Sequence, residues 1–177
     1  MKILVLTTLL LAYLSAVKAS SSCPEGWVFF DGFCYYARDT VKTFQEAQDY
    51  CSEMNADLAK ITSQQENDFV LALARRDAPA AEQVWIGLFW HKTGGDFWWS
   101  DKTGGDFWWS DLSVPVYKNW APGEPNGNAD EPCGMMFTRK KTDQRRHTAS
   151  GYWNDLKCSR DQAYQNWECG FVCKKLA

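Results

Sequence analysis

Apolar positions change their period part-way along this chain. Trp27 to Phe30 and Phe33 to Ala37 are short aromatic runs on either side of Asp31-Gly32. An Asp-Gly pair between two such runs predicts a hairpin, because both residues tolerate the positive φ of a two-residue turn. Helical spacing follows. Thr43-Phe44-Gln45-Glu46 has the form of a capping box, and behind it Phe44, Ala47, Cys51 and Met54 recur on one face. Ser63-Gln64-Gln65-Glu66 is a second box. It opens a stretch with Phe69, Val70 and Leu73 together, and Pro79 sets its latest end. From Val84 onward the periodicity is that of strands. Trp85 to Leu88, Met135 to Phe137, Tyr152-Trp153 and Phe171-Val172 are short aromatic and β-branched runs separated by Gly, Pro, Asn and Asp. A hairpin, two helices and a loop-rich β half predict an α+β fold.

Two features interrupt this pattern. Residues 92–101 and 102–111 both read KTGGDFWWSD. Two copies are too few for a solenoid. A duplication that lengthens one hairpin or loop is the favoured reading. The other is an aromatic patch of Phe97, Trp98, Trp99 and their copies, available for sugar stacking or self-association. Arg139, Lys140, Lys141, Arg145, Arg146 and His147 form a basic run between two strand candidates. It is read as a solvated loop, with a contact for anionic surfaces or polysaccharides as the alternative.

Composition and cysteines set the compartment. The 177 residues begin with Lys2, an apolar run from Ile3 to Leu14, and small residues at Val17 and Ala19. That is the three-part form of a secretory signal peptide over residues 1–19. The domain is expected over residues 20–177, secreted and extracellular. No later run reaches membrane-spanning length, so no membrane insertion is expected. Net charge is −3, which disfavours a generally basic nucleic-acid binder. All seven cysteines follow the leader and read first as disulfides, with an odd one left over. The patterns HExxH, GxSxG, GxGxxG and the P-loop are absent.

Oxygen-bearing side chains gather in the second half, at Glu124-Pro125-Asn126, Glu131 and Asn154-Asp155, all read as loop residues. Three carboxylates and two amides suit a hard cation such as Ca²⁺, which takes six to eight oxygen ligands. A hydrolase reading would use Glu124 and Asp155 as an acid/base pair. Acids that hold a cation are poor proton donors, so the protein is read as no enzyme.

In order along the chain stand Cys-Pro-x-Gly-Trp at 23–27, Cys-Tyr at 34–35, Ala47-x-x-x-Cys51, Trp-Ile-Gly-Leu at 85–88 and Trp-Ser-Asp at 109–111. Asn-Trp at 119–120, Glu-Pro-Asn at 124–126, Glu131-x-Cys133, Trp-Asn-Asp at 153–155 with Cys158, and Phe-Val-Cys at 171–173 complete the set. In this order and spacing the chain resembles the C-type lectin-like domain family, from about Cys23 to Lys175. The resemblance implies two helices with short antiparallel sheets and a long calcium-binding loop region. It implies disulfides Cys23–Cys34, Cys51–Cys173 and Cys133–Cys158, with Cys133–Cys169 as an alternative to the last. The remaining Cys169 is then expected to be exposed and able to bridge two chains into a homodimer.

The family's sugar mechanism carries over residue by residue. Glu124, Asn126, Glu131, Asn154 and Asp155 match the side-chain ligands of one principal Ca²⁺ site, and Pro125 matches its cis proline. The same five residues would bind the sugar. The order Glu-Pro-Asn resembles members that prefer equatorial vicinal hydroxyls, as in mannose, N-acetylglucosamine and fucose. The chain departs from the family's auxiliary Ca²⁺ site at Gly127 and Pro132. These expectations define a secreted calcium-dependent lectin for mannose-type glycans, in glycan or microbe recognition and innate immunity. The competing reading is an extracellular matrix protein acting through the acidic loops and the aromatic repeat.

Overall fold

The computed structural model describes residues 22–39, 43–92, 105–127, 129–139, 141–143, 146–159 and 169–177. The expected leader at 1–19 lies outside them, as does nearly all of the first repeat copy.

Local chemistry builds the first elements. Strand β1 (Val28–Phe30) pairs with β2 (Phe33–Arg38) across Asp31 and Gly32, at φ 46° and 82°. Helix α1 (Phe44–Glu53) starts on Thr43, whose hydroxyl accepts from the Glu46 N–H while the Glu46 carboxylate accepts from the Thr43 N–H. Its buried face is Ala47 and Cys51. After the short strand β3 (Asp57–Leu58) comes α2 (Gln64–Asp77), which ends two residues before Pro79. Ser63 caps α2 by accepting from the Glu66 N–H. The reciprocal half of that box goes elsewhere. Glu66 is buried, and its carboxylate accepts from Tyr35, from Thr62 and from the Lys174 ammonium. Burial pushes the Glu66 pKa up, but the hydrogen bonds from Lys174, Tyr35 and Thr62 outweigh it and hold the carboxyl below its ordinary value.

The remaining strands are β4 (Gln83–Lys92), β5 (Gly105–Trp109), β6 (Cys133–Phe137), β7 (Lys141–Asp143), β8 (Arg146–Thr148), β9 (Trp153–Leu156) and β10 (Cys169–Leu176). The main sheet runs β1-β2-β10-β4-β6-β9, with β3 on β10 and β5 on β4. Among the described strands the parallel pair is β10 with β4, where Phe171 lies opposite Trp85. Core packing follows strand alternation. Ile86, Val172 and Trp153 join one apolar cluster with Val70 and Leu73 of α2. Trp85, Phe171, Cys173 and Leu156 join a second with Ala47 and Cys51 of α1. Gly87 lets β3 approach β4: a Cβ there would lie 2.5 Å from the Leu58 carbonyl oxygen.

Disulfides join Cys23 to Cys34, Cys51 to Cys173, and Cys133 to Cys158. Cys169 corrects an expectation. It is buried in β10, opposite Gln83, whose side-chain amide donates to its sulfur at 2.9 Å. Pairing to a strand distant in sequence removes it from the surface, so it is not placed to bridge two chains. The second repeat copy supplies β5 of the β4–β5 hairpin, in keeping with the favoured reading, and argues against the aromatic-patch alternative. In the second repeat copy Phe107 and Trp109 are core residues, facing Trp90 and Leu88 across β4 and β5. They are not an exposed aromatic patch. Within the basic run, Lys141–Asp143 and Arg146–Thr148 pair as the antiparallel ribbon β7–β8 where a loop was expected.

Candidate functional site

The long segment from Ser110 to Pro132 returns over the β6–β9 edge of the sheet, and Trp153 holds it there. Trp153 is fully buried and meets the rings of Trp109, Tyr117 and Trp120 edge-on at 5.6, 5.5 and 6.0 Å between centroids. Its indole N–H donates to Asn67 Oδ1 of α2 at 2.8 Å. Its main chain bonds both ways with the segment: the Trp153 N–H donates to the Asn119 carbonyl, and the Ala121 N–H to that of Trp153. The Glu124 N–H then donates to the Ala121 carbonyl at 2.9 Å. One core residue thus fixes both the strand that carries Asn154 and Asp155 and the start of the loop that carries Glu124 and Asn126.

Asp155 ties that loop down. It is buried, and its carboxylate accepts from the Asn126 N–H at 3.0 and 3.1 Å and from the Gly127 N–H at 2.8 Å. Such charge-assisted bonds to main-chain donors are among the stronger ones in proteins. The Glu124–Pro125 peptide bond is cis. Beyond it the Asp130 N–H donates to the Gly127 carbonyl at 2.9 Å, closing a turn that returns Glu131 to the loop. A Cβ on Gly127 would lie 2.4 Å from Glu131 Cβ and 2.7 Å from its Oε2. Glu124 and Glu131 are half-buried, Asn126 is exposed, and Asn154 is buried beside Asp155.

The structure therefore gathers Glu124, Asn126, Glu131, Asn154 and Asp155 around one loop and one strand. All five were expected on loops. Asn154 and Asp155 instead occupy β9, opposite Met135 and Gly134 of β6. The chain alternation there was too short to read, and pairing with β6 decides it. Sequence reasoning also missed Asn67, whose amide donates to the Gly151 carbonyl and whose oxygen receives Trp153. The available signal was an Asn on the apolar face of α2, in line with Val70 and Ala74.

The donor set is all oxygen, as a hard cation requires. Among the described residues no group of three or more His, Cys, Asp or Glu is close enough to hold a metal. A cation held here would depend on the amide oxygens as well as the acids. Asn154 answers to that: its amide N–H donates to the Asp155 main-chain carbonyl, and its Oδ1 is buried with no hydrogen-bond partner. A buried carbonyl oxygen left so costs about 1–3 kcal/mol. A cation ligated by Oδ1 would remove that cost, so the residues fit Ca²⁺. A separate cleft of about 380 Å³ is lined by Phe33, Leu58, Lys60, Asp111 and Lys174, and none of the five site residues lines it.

A family model described as "Lectin C-type domain" matches residues 40–175. The chain belongs to the C-type lectin domain family. The low affinity immunoglobulin epsilon Fc receptor of Mus musculus is 33% identical to this lectin domain over 167 residues, covering 93% of this chain and 40% of the receptor. The chain thus spans two fifths of that relative. The alpha-N-acetylgalactosamine-specific lectin of Patiria pectinifera is 31% identical over 177 residues, covering 94% of this chain and 91% of that one. Among solved structures, the cow carbohydrate-recognition domain of CD23, determined in the presence of a GlcNAc2Man3 oligosaccharide, superposes with a TM-score of 0.63 at 32% identity. It covers 89% of this chain and 98% of that one. A calcium-independent type II antifreeze protein shares the lectin fold, with a TM-score of 0.65, 22% identity and coverage of 90% and 98%. The fold alone therefore does not require calcium.

Proposed function

We propose that this C-type lectin domain binds carbohydrate through Ca²⁺, and that Glu124, Asn126, Glu131, Asn154 and Asp155 hold both the ion and the sugar. The observation that carries the reading is the Asp155 carboxylate clamped on the Asn126 and Gly127 amides, beside the partnerless Oδ1 of Asn154. When bound, Ca²⁺ supplies a positive centre for the lone pairs of two neighbouring sugar hydroxyls. The chain's own groups read those hydroxyls. Carboxylates of Glu124 and Glu131 accept their protons, and amide N–H groups of Asn126 and Asn154 donate to their oxygens. The Glu-Pro-Asn order favours equatorial vicinal hydroxyls, as in mannose, N-acetylglucosamine and fucose.

On this reading the protein is secreted, with residues 1–19 as its leader, and recognises glycans, including those of microbes. It performs no catalysis. A shallow single-sugar site binds weakly, on the order of millimolar, or about −4 kcal/mol.

The test is retention on mannose-agarose in millimolar Ca²⁺. Elution by either free mannose or EDTA is expected, and Asp155→Asn should not be retained. A correctly disulfide-bonded protein that flows through removes the mannose assignment. N-acetylglucosamine and galactose columns then decide between another sugar and the matrix reading.

A further inference from the structure

The basic run has no part in the calcium site. Residues 138–148 hold Arg139, Lys140, Lys141, Arg145 and Arg146 against a single acid, Asp143. That is +4 with His147 neutral, on a chain of net −3, so the rest of the chain carries −7. Ordinary solvated surface intersperses the two signs. Here the cations are concentrated in one short stretch of the sequence, within which the ribbon register sets Lys141 opposite Thr148 and Arg146 opposite Asp143.

A second element brings cations to the same place. Arg139 is exposed, and its guanidinium donates to the Pro79 carbonyl, just beyond the end of α2. The last turn of α2 carries Arg75 and Arg76. Arg75 reaches the segments on both sides of the ribbon, donating to the Thr138 carbonyl at 2.8 Å and to Ser150 Oγ at 2.6 Å. Arg76 is forked onto Asp77, so the excess charge belongs to the 138–148 segment and Arg75. This pole sits beyond the Phe137 end of β6, whereas Glu131 sits before its Cys133 end. β6 alone separates the two by roughly 13 Å.

We propose that this basic pole docks a linear sulfated polysaccharide, independently of the calcium site. Charge complementarity selects the class. A polyanion gains by releasing its counterions to clustered Lys and Arg. A stiff duplex nucleic acid laid on the pole would also lie along the strongly acidic remainder. A flexible sulfated chain bends away from it and engages the ribbon alone.

The experiment is binding of heparin to the full chain in EDTA, followed across a salt series, beside the triple variant Arg139→Gln, Lys141→Gln, Arg146→Gln. EDTA removes the calcium-dependent sugar site from the readout, so failure of that site leaves this test unaffected. The wild type should bind, with log affinity falling steeply against log salt. The variant should lose about tenfold or more near physiological salt, with a slope shallower by roughly two to three. Unchanged mannose retention in Ca²⁺, or an unchanged far-ultraviolet circular dichroism spectrum, shows that the variant is folded. The proposal is overturned by wild type that does not bind, by a folded variant that binds equally, or by duplex DNA or anionic vesicles that bind as tightly as heparin.

Discussion

At Gly127 the loop leaves no room for a side chain. Its main-chain N–H is held by Asp155, and its Cα faces the Cβ and Cγ of Glu131. Replacing it with Ala keeps all five oxygen-bearing side chains and changes only their spacing. A Cβ at 2.4 Å from another Cβ cannot be absorbed by turning the end of a flexible side chain, so either Glu131 or the loop must move. Overpacking of this kind costs about 1–3 kcal/mol. Calcium titration by calorimetry should therefore show Gly127→Ala weakened by roughly 5- to 100-fold. A variant that binds Ca²⁺ as the wild type does would separate Glu131 from the site. Single residues also show where sequence reasoning stops. The five donors were legible from their types and their match to a family pattern. Asn67 was not, because its partners Trp153 and Gly151 are 86 and 84 residues away.

Glu66 shows the same limit for elements, because two of them compete for it. Its capping role was local and readable. Its capture by Lys174, 108 residues on, was not. The result ties α2 to β10 and β2 through a buried ion pair, with side chains 10% exposed for Lys174 and 5% for Glu66. Removing one partner of such a pair leaves the other charge buried, at about 3–5 kcal/mol. Glu66→Gln should lose that much at neutral pH in urea unfolding. A carboxyl held below its ordinary pKa stabilises above the unfolded-state value, about 4.3, and the contribution is lost as pH falls through the folded value. The gap between variant and wild type should accordingly narrow on acidification below about pH 4. A gap that stays constant would show that Glu66 is not charged in the fold. The helices and the first hairpin were legible because caps and turns are local. The Tyr152-Trp153 run was readable as a strand, but its extension over Asn154 and Asp155 and the burial of Cys169 depend on pairing with β6 and β4, which no local pattern encodes. That burial has its own consequence. The Cys169 thiol should resist alkylation until the chain unfolds, and the native protein should run as a monomer on a non-reducing gel. A dimer lost on replacing Cys169 would contradict the packing of β10.

At the largest scale, the last strand closes on the first hairpin and the candidate calcium site and the basic segment lie beyond opposite ends of β6. β10 pairs with β2 from Phe171 to Leu176, and Cys51–Cys173 closes a separation of 122 residues. In the chain-entropy model that closure is worth roughly 4–5 kcal/mol, a stabilisation of the sheet that needs no bound ion. The loop from Ala121 to Glu131 is different, because its hold on the sheet runs through Trp153 and Asp155. Ca²⁺ should thus stabilise a chain that is already folded rather than fold it. Extracellular calcium modules bind at about 10⁻⁴ to 10⁻³ M. With a dissociation constant of about 1 mM, about 10 mM Ca²⁺ adds roughly 1.4 kcal/mol. For a domain of this length that raises Tm by about 3–6 °C. A thermal melt in Ca²⁺ and in EDTA should show two cooperative transitions offset by that amount, with the offset abolished in Asp155→Asn. Mg²⁺ at the same concentration should give less, since it favours strict octahedral geometry and keeps its water. Equal melting in Ca²⁺ and EDTA would leave family membership intact and remove the calcium mechanism.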